Sequence, residues 1–204
     1  MKTTYIDGYD LKMMATILLN GGLIAIPTDT VFGLACIYDD KRAIEKIKRL
    51  KQRDEAKPLP MMCSDLAMVK SVAETDARIE RVISRLTPGP LTMVMQKKDT
   101  VMGYVTNGLA TIGIRIPNDK DILSLIDYLD KPLLVTSCNI SNEPSIRYYK
   151  DVIDIFFDKI DLIVRKDALS QVASTIVDLT SDELKILREG VISKQMIEEV
   201  YYER

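Results

Sequence analysis

The sequence predicts an α/β fold, and three observations support that prediction. Short apolar runs of strand length recur along the chain, for example at 23–26 and 132–137. Stretches with apolar residues at helical spacing separate them, as at 10–19 and 121–129. The 204 residues contain no internal repeat and no clear linker. Strands that alternate with helices in one unit favour a single α/β domain, spanning 1–204.

The first half of the chain alternates helix and strand. A helix is predicted over 10–19 with Asp10 as its N-cap, because apolar residues recur at helical spacing and Gly21 and Gly22 follow. The run 23–26 is apolar and partly β-branched, which is typical of a buried strand. Further elements are predicted in this order: a basic amphipathic helix from 39, a strand at 59–63, helices at 65–72 and 76–86, and a strand at 91–95.

The second half continues the alternation after the turn Thr87-Pro88-Gly89-Pro90. A strand is predicted at 111–117 from its length and composition, although its alternation is weak. The run 132–137 is the clearest buried strand in this half. The remaining elements are a helix at 121–129, a helix at 149–157, strands at 162–164, 174–177 and 185–187, and a C-terminal helix at about 193–203.

Charge and hydrophobicity restrict the class of protein. Lys and Arg together number 28 against 30 Asp and Glu, so the net charge is −2 and lacks the basic excess of a dedicated nucleic-acid binder. The N-terminus carries no secretory signal pattern, and the longest apolar stretches have the length of strands. These features predict a cytoplasmic protein that does not enter a membrane.

Histidine is absent from the chain, which excludes every catalytic scheme that needs imidazole. A typical zinc site is also disfavoured. The cysteines, Cys36, Cys63 and Cys138, are widely spaced and form no Cys-x-x-Cys pair, so we interpret them as buried free thiols. Chemistry must then depend on positioning and cationic stabilisation, which suits phosphoryl or nucleotidyl transfer.

Polar clusters follow several of the predicted strands, and ligands of α/β sheets bind beyond strand ends. No G-x-G-x-x-G and no Walker A sequence occurs, so a phosphate site would be built from basic side chains and hydroxyls. The candidate groups are Thr28-Asp29-Thr30, the basic stretch from Lys51 to Lys57, Ser137-Cys138-Asn139 with Ser145, and the strand arginines Arg115 and Arg188.

Each of these groups also has a structural interpretation. Arg115 alternates with apolar residues, so its charge needs either a structural carboxylate partner or an anionic ligand. Arg188 could instead form a surface ion pair with Glu189. The hydroxyls of Thr28 and Thr30 could simply form a turn. The sequence by itself leaves these alternatives open.

Seven motifs, taken together and in order, resemble the YrdC family. They are Pro27-Thr28-Asp29-Thr30-Val31-Phe32-Gly33-Leu34, Lys51-Gln52-Arg53 with Pro58-Leu59, Pro88-Gly89-Pro90-Leu91-Thr92, Ile114-Arg115-Ile116-Pro117, Ser137-Cys138-Asn139-Ile140-Ser141, Ser174-Thr175-Ile176-Val177-Asp178 and Leu187-Arg188-Glu189-Gly190. The match extends over nearly the whole chain. The resemblance implies the short, single-domain form of the family, with a twisted, YrdC/RibB-like mixed sheet flanked by helices and a concave basic cavity.

The activity that this resemblance implies is that of an L-threonylcarbamoyladenylate synthase, a nucleotidyltransferase. Such an enzyme joins L-threonine, bicarbonate or CO2, and ATP, and releases pyrophosphate. Its product supplies N6-threonylcarbamoyladenosine at position 37 of ANN-decoding tRNAs through a downstream transferase complex of the TsaD/TsaB/TsaE kind. Mg2+ is expected to arrive with ATP and not on protein side chains, and weak tRNA binding is expected as well.

The resemblance also implies roles for individual residues. Lys51 and Arg53 are the expected catalytic cations. The expected L-threonine contacts are Thr30, Arg115 and Ser174, and those expected around ATP are Lys51, Arg53, Lys57, Thr111, Ser137, Asn139, Ser145 and Arg188. The chain departs from the family at Phe32, where tyrosine is usual, at Met62, where many members have histidine, and at Lys57, where a neutral residue is common.

Two further functions remain as alternatives. A tRNA or double-stranded RNA binding module without catalysis is favoured by the cations between Lys41 and Lys57 and opposed by the acidic net charge and the sparse aromatic residues. The other alternative is a carbamoyl-transfer domain that acts on a different acceptor.

Overall fold

The structure is a computed structural model that describes residues 2–52, 57–141 and 143–203. Within those ranges strands and helices alternate along most of the chain. The strands are β1 (Thr4–Ile6), β2 (Ile24–Ile26), β3 (Gly33–Ile37), β4 (Met61–Met62), β5 (Leu91–Gln96), β6 (Thr111–Arg115), β7 (Leu133–Ser137), β8 (Leu162–Val164), β9 (Thr175–Asp178) and β10 (Lys185–Arg188). The helices are α1 (Leu11–Leu19), α2 (Lys41–Lys51), α3 (Leu66–Val72), α4 (Ala77–Leu86), α5 (Lys120–Leu129), α6 (Tyr149–Phe156) and α7 (Lys194–Tyr201), with a short 3-10 helix at Gly103–Val105.

All of these strands join one mixed sheet, in the order β1-β8-β2-β3-β7-β4-β6-β5-β9-β10. The sheet contains parallel pairs, such as β4 with β6 and β5 with β9, and antiparallel pairs, such as β3 with β7 and β5 with β6. The predicted α/β class and the mixed sheet are therefore confirmed. The order also brings β6 and β7, which carry predicted site residues near their ends, to either side of β4.

The two faces of the sheet are covered to different extents. On one face, Ile112 and Ile114 of β6 belong to an apolar cluster that includes buried side chains of α2, α4, α6 and α7. On the other face, α1 and α5 pack against β2, β3, β7 and β8. Among the described residues, this second cluster contains none from β5, β6 or β9. Part of the second face therefore lacks a covering helix.

Side chains of aspartate and serine begin most of the helices. The Asp10 carboxylate accepts a hydrogen bond from the backbone N–H of Met13, so the predicted N-cap of α1 is confirmed. Such a cap satisfies a backbone donor that has no partner within the helix. The same arrangement occurs at Asp40, Asp65, Asp76, Asp119 and Ser193. None of the helices in the described ranges has both the length and the apolar character needed to cross a bilayer.

Two observed strands, β1 and β3, were not predicted from the sequence. The strand predicted at 59–63 is shorter than expected. All of β3 is buried, so its sequence shows no alternation, and its Gly, Ala and Cys residues have little preference for strands. At the edge of the sheet, β1 has 3 residues and pairs with β8. The strand predicted at 59–63 is observed only as β4.

Gly33 in β3 is required by close packing between strands. A Cβ atom at this position would lie 2.7 Å from Cγ1 of Val135 and 3.3 Å from Cγ2 of Thr28. Because β-branching restricts the χ1 angle of valine, the Val135 side chain cannot turn away from an added Cβ without a cost in energy. We therefore expect Gly33→Ala to lower the free energy of unfolding by about 1–3 kcal/mol, measured by urea denaturation.

The matched test combines this change with Val135→Ala, which removes the contacting methyl group. The double variant should lose less stability than the sum of the two single variants, because the added Cβ then fills the vacated space. Additive losses would show that Val135 is not the obstacle.

Candidate functional site

The uncovered part of the second sheet face forms the floor of a cavity of about 690 Å³. Hydroxyl groups predominate among the polar side chains of its wall: Thr28, Thr30, Thr92, Thr111, Thr136, Ser137, Ser145 and Ser174. The charged side chains of the wall are Lys57, Arg115 and Arg188, and the described lining includes no carboxylate. The wall therefore offers cations and hydroxyls to a ligand.

The alternation of β6 determines which of its side chains reach the cavity. Thr111, Gly113 and Arg115 line it, whereas Ile112 and Ile114 are buried in the opposite core. Successive residues of a strand point to opposite faces, so every second residue of β6 faces the ligand space. This arrangement puts the arginine charge on the face that has no covering helix.

The guanidinium of Arg115 is buried and held on three sides. Its Nη2 donates to Oδ1 of Asp29 at 2.6 Å, and its Nη1 donates to Oγ1 of Thr30 at 2.8 Å. Its Nε donates to the carbonyl oxygen of Gly89 at 3.2 Å. Both partners of the ion pair are almost inaccessible, with side-chain exposures of 7% for Arg115 and 6% for Asp29. Arg115 thus has a structural carboxylate partner and also borders the cavity.

The turn after β2 aims Thr30 and Asp29 at Arg115. Thr28 Oγ1 accepts from the backbone N–H of Thr30 at 3.0 Å and donates to the carbonyl oxygen of Val31 at 2.7 Å. Because a hydroxyl has a single hydrogen, the 3.0 Å contact between the two threonine hydroxyls is one in which Thr30 donates to Thr28. The Thr30 oxygen, which accepts from Arg115, can therefore serve a ligand only as an acceptor.

A second arginine closes the cavity from the edge of the sheet. Arg188 donates through Nε and Nη2 to the carbonyl oxygen of Ser174, at 3.0 and 2.8 Å, and through Nη2 to Oγ of Ser174 at 3.2 Å. Ser174 Oγ lies 2.8 Å from Thr92 Oγ1. In the described structure Arg188 makes no ion pair with Glu189, so the alternative of a surface ion pair between them is not observed.

The pKa values of both cavity arginines lie below the ordinary value of the group. Burial lowers the pKa of Arg115, and the carboxylate of Asp29 acts in the opposite direction. Burial also lowers the pKa of Arg188, and the charge of Arg115 lowers it further. An anionic ligand between these groups would offset part of their desolvation and repulsion.

Lys51 and Asn139 are predicted nucleotide contacts, but neither belongs to the described lining of the cavity. Lys51 is 1% exposed, and its Nζ donates to the carbonyl oxygens of Ser137 and Asn139 and to Oδ1 of Asn139. An ammonium group has three N–H donors. Neither Lys51 nor Asn139 is among the described residues that line the cavity, so their predicted contacts with ATP remain predictions.

Most of the other predicted site residues come together in the cavity wall. Those that do are Thr30, Lys57, Thr111, Arg115, Ser137, Ser145, Ser174 and Arg188. Met62 lines the cavity as well, whereas Phe32 is buried in the core. Arg53 lies outside the described residues. The sequence did not single out Thr92 and Gly113, which strand alternation around Arg115 and its neighbours could have identified.

The cysteines lie outside the described lining of the cavity. All three thiols are free and buried, which confirms their interpretation, and burial raises the pKa of Cys63 to about 12. Burial also raises the pKa values of Cys36 and Cys138. Among the described residues, no group of three carboxylates or thiols is arranged to hold a metal ion.

Comparison with known proteins identifies relatives over nearly the whole chain. The Sua5/YciO/YrdC family model, described as "Telomere recombination", matches residues 16–190. The threonylcarbamoyl-AMP synthase of Pyrococcus abyssi is 32% identical over 197 residues, which cover 96% of this chain and 58% of that protein. The chain thus spans less than two thirds of that relative's length.

Solved structures of relatives have the same fold. The crystal structure of P. abyssi Sua5 complexed with L-threonine superposes with a TM-score of 0.90 at 31% identity, covering 98% of this chain and 60% of that one. The crystal structure of Escherichia coli YciO superposes with a TM-score of 0.86 at 27% identity, covering 96% of this chain and 98% of that one.

Breaking the ion pair at the cavity wall should be strongly destabilising, because it leaves a buried charge uncompensated. Asp29→Ala leaves the buried charge of Arg115 without its carboxylate, and we expect the free energy of unfolding to fall by about 3–5 kcal/mol in urea denaturation. The matched control is Asp182→Ala, which removes an exposed partner of Arg78 and should cost at most about 1 kcal/mol. Equal losses from the two changes would contradict a stabilising buried pair.

Proposed function

The chain belongs to the Sua5/YciO/YrdC family, as its motifs indicate, and from this premise we propose that it is a threonylcarbamoyl-AMP synthase. In this proposal the protein joins L-threonine, bicarbonate or CO2, and ATP, and releases pyrophosphate. The single observation that best supports it is Arg115, a buried arginine at the wall of a cavity that is otherwise rich in hydroxyls.

The amino-acid side of the site is proposed to lie at Arg115. A guanidinium suits the carboxylate of L-threonine because its planar array of donors matches two carboxylate oxygens. Thr30, whose oxygen is left as an acceptor, would receive a hydrogen bond from the amine or the hydroxyl of the substrate. Ser174, which lines the same cavity and contacts Thr92 and Arg188, is proposed to complete this side of the site. The L-threonine in the P. abyssi Sua5 complex supports this class of substrate.

The nucleotide side is proposed to lie along the rest of the wall. Lys57 and Arg188 would offset the charge of the phosphates, and the hydroxyls of Thr111, Ser137 and Ser145 would donate to phosphate or ribose oxygens. Because the described wall has no carboxylate, Mg2+ would enter bound to the triphosphate, where it neutralises charge on the leaving group.

Lys51 and Arg53, the two predicted catalytic cations, have different roles in this proposal. Lys51 would act through the turn at 137–139, which its ammonium group holds, and so would fix the position of Ser137. Arg53 is proposed to contact the phosphates of ATP. Asn139 would act with Lys51, because its amide also donates to the carbonyl oxygens of Ile140 and Glu143.

The proposed chemistry needs no nucleophile from the protein. The amine of L-threonine adds to CO2 and loses a proton, which gives a carbamate. A carbamate oxygen then attacks the α-phosphorus of ATP; the new P–O bond forms as the bond to the β-phosphate breaks, and pyrophosphate leaves. The cavity contributes by holding the two substrates in line and by stabilising charge, which is consistent with a chain that has no histidine. Delivery of the product to a transferase complex for tRNA, in the cytoplasm, is part of the proposal.

RNA binding without catalysis is a second candidate, favoured by a groove along α2. Lys41, Lys48 and Arg49 line it together with Tyr104. Lys41 and Arg49 are exposed, so their charges are accessible to a phosphate backbone.

Pyrophosphate release distinguishes the two candidates. We expect release from ATP to depend on both L-threonine and bicarbonate, and to fall to background when either is omitted. Pyrophosphate release that does not depend on L-threonine would contradict the synthase proposal. No turnover, together with RNA affinity that falls steeply with salt, would favour the binding module.

Removing Arg115 should affect L-threonine more than ATP. The test variant is Arg115→Ala in an Asp29→Asn background, which leaves no unpaired buried carboxylate, and Asp29→Asn alone is its control. We expect KM for L-threonine to rise about 10-fold to 100-fold relative to the control, because a charged hydrogen-bonded contact is lost, while KM for ATP changes less than about threefold. Equal increases in the two constants would indicate that Arg115 is purely structural.

A further inference from the structure

Gly113 occupies the centre of the cavity floor. It lies midway along β6 and faces the cavity between Thr111 and Arg115, and its partner on the neighbouring strand is Val94. It is partly exposed although it sits in the interior of a ten-stranded sheet, because no helix covers this part of the face. The residue therefore borders open space where its neighbours on the same face present side chains.

The fold itself does not require glycine at this position. A Cβ atom on Gly113 would lie 3.4 Å from Cγ2 of Thr92 and 3.8 Å from Cβ of Pro60, which are ordinary van der Waals contacts. Its backbone is not in the left-handed region, unlike that of Gly21 and Gly108. Gly33, in contrast, cannot gain a side chain without a clash.

Glycine is also an unfavourable choice for the interior of a strand. It loses more backbone entropy on folding than other residues and provides no side chain to pack. A glycine that costs stability and is not needed for packing often marks a close approach of a ligand. Among the described residues, the open side of Gly113 faces the cavity.

The position of Gly113 indicates which part of the ligands approaches it. Residues two apart on a strand are about 7 Å apart, so Gly113 lies about 7 Å from Arg115, on the amino-acid side, and about 7 Å from Thr111, on the nucleotide side. In the product, five bonds separate the carboxylate carbon from the phosphorus, a distance of about 6 Å when extended. A product whose carboxylate contacts Arg115 and whose phosphate lies towards Thr111 would therefore pass over Gly113, which lies between these two residues on the cavity face of β6.

We propose that Gly113 keeps the junction of the two substrates open, because its missing side chain leaves room for the carbamate and the α-phosphate to meet. This inference rests on the proposed synthase function and adds a role for a residue that contacts neither end of the product. A methyl group at this position would enter the space where the new bond forms.

The test compares Gly113→Ala and Gly113→Val with Gly8→Ala. Gly8 is exposed, has nothing within 4 Å of an added Cβ and does not line the cavity. Thermal unfolding, L-threonine binding by calorimetry and threonine-dependent pyrophosphate release are measured for each protein. We expect Gly113→Ala to melt no lower than the wild type, because alanine restricts the unfolded chain.

In the same experiment, Gly113→Ala should lower kcat for pyrophosphate release at least about tenfold, and Gly113→Val should lower it further, while affinity for L-threonine alone changes less than about threefold. Gly8→Ala should also melt no lower than the wild type and should leave L-threonine affinity and turnover unchanged. Unchanged turnover in Gly113→Ala overturns the proposal, and so does a clearly lower melting temperature, which would mean that the fold needs the glycine. A loss of L-threonine affinity as large as the loss of kcat would place Gly113 in the amino-acid pocket and not at the junction, and so would also overturn the proposal. Absence of threonine-dependent release in the wild type is a different result, because it rejects the synthase function itself.

Discussion

The ion pair between Asp29 and Arg115 connects the two halves of this molecule. The buried guanidinium of Arg115 is costly to desolvate, and here a carboxylate, a threonine hydroxyl and a backbone carbonyl oxygen offset that cost. These acceptors come from the turn after β2 and from the turn at Gly89, which precedes β5. The pair thereby fixes the turn that carries Thr30 against the end of β6. The cavity wall depends on this fixed geometry, because Thr30 and Arg115 both face the ligand space.

Incomplete covering of one sheet face explains why the cavity has its particular chemistry. Where α1 and α5 cover the sheet, the strands present Ile, Leu and Val. Beyond those helices, β6 presents Thr111, Gly113 and Arg115 on the same face. Residues that face a ligand or water need not be apolar, so hydroxyls and cations are tolerated there. The cavity therefore lies on the part of this face that α1 and α5 do not cover.

The fold was largely predictable from the sequence, and its exceptions have a common cause. Helices such as α2 and α5 have one apolar face and aspartate caps, which are local signals. By contrast, β3 is buried on both faces and contains residues with little strand preference, so only its pairing with β2 and β7 makes it a strand. The edge strand β1 likewise depends on its pairing with β8. Pairing with distant segments is not encoded within a short window of sequence.

The sequence by itself indicated the family, the alternation of helices and strands, and eight of the residues that line the cavity, because motifs and periodicity are properties of short segments. Only the tertiary structure decided what each charge contacts. It gave Arg115 both a carboxylate partner and a place at the cavity, and it directed the ammonium of Lys51 towards the turn at 137–139. It also separated Gly33, which packing requires, from Gly113, which packing does not. These outcomes depend on atoms from strands far apart in the chain, whose distances arise only when the sheet assembles.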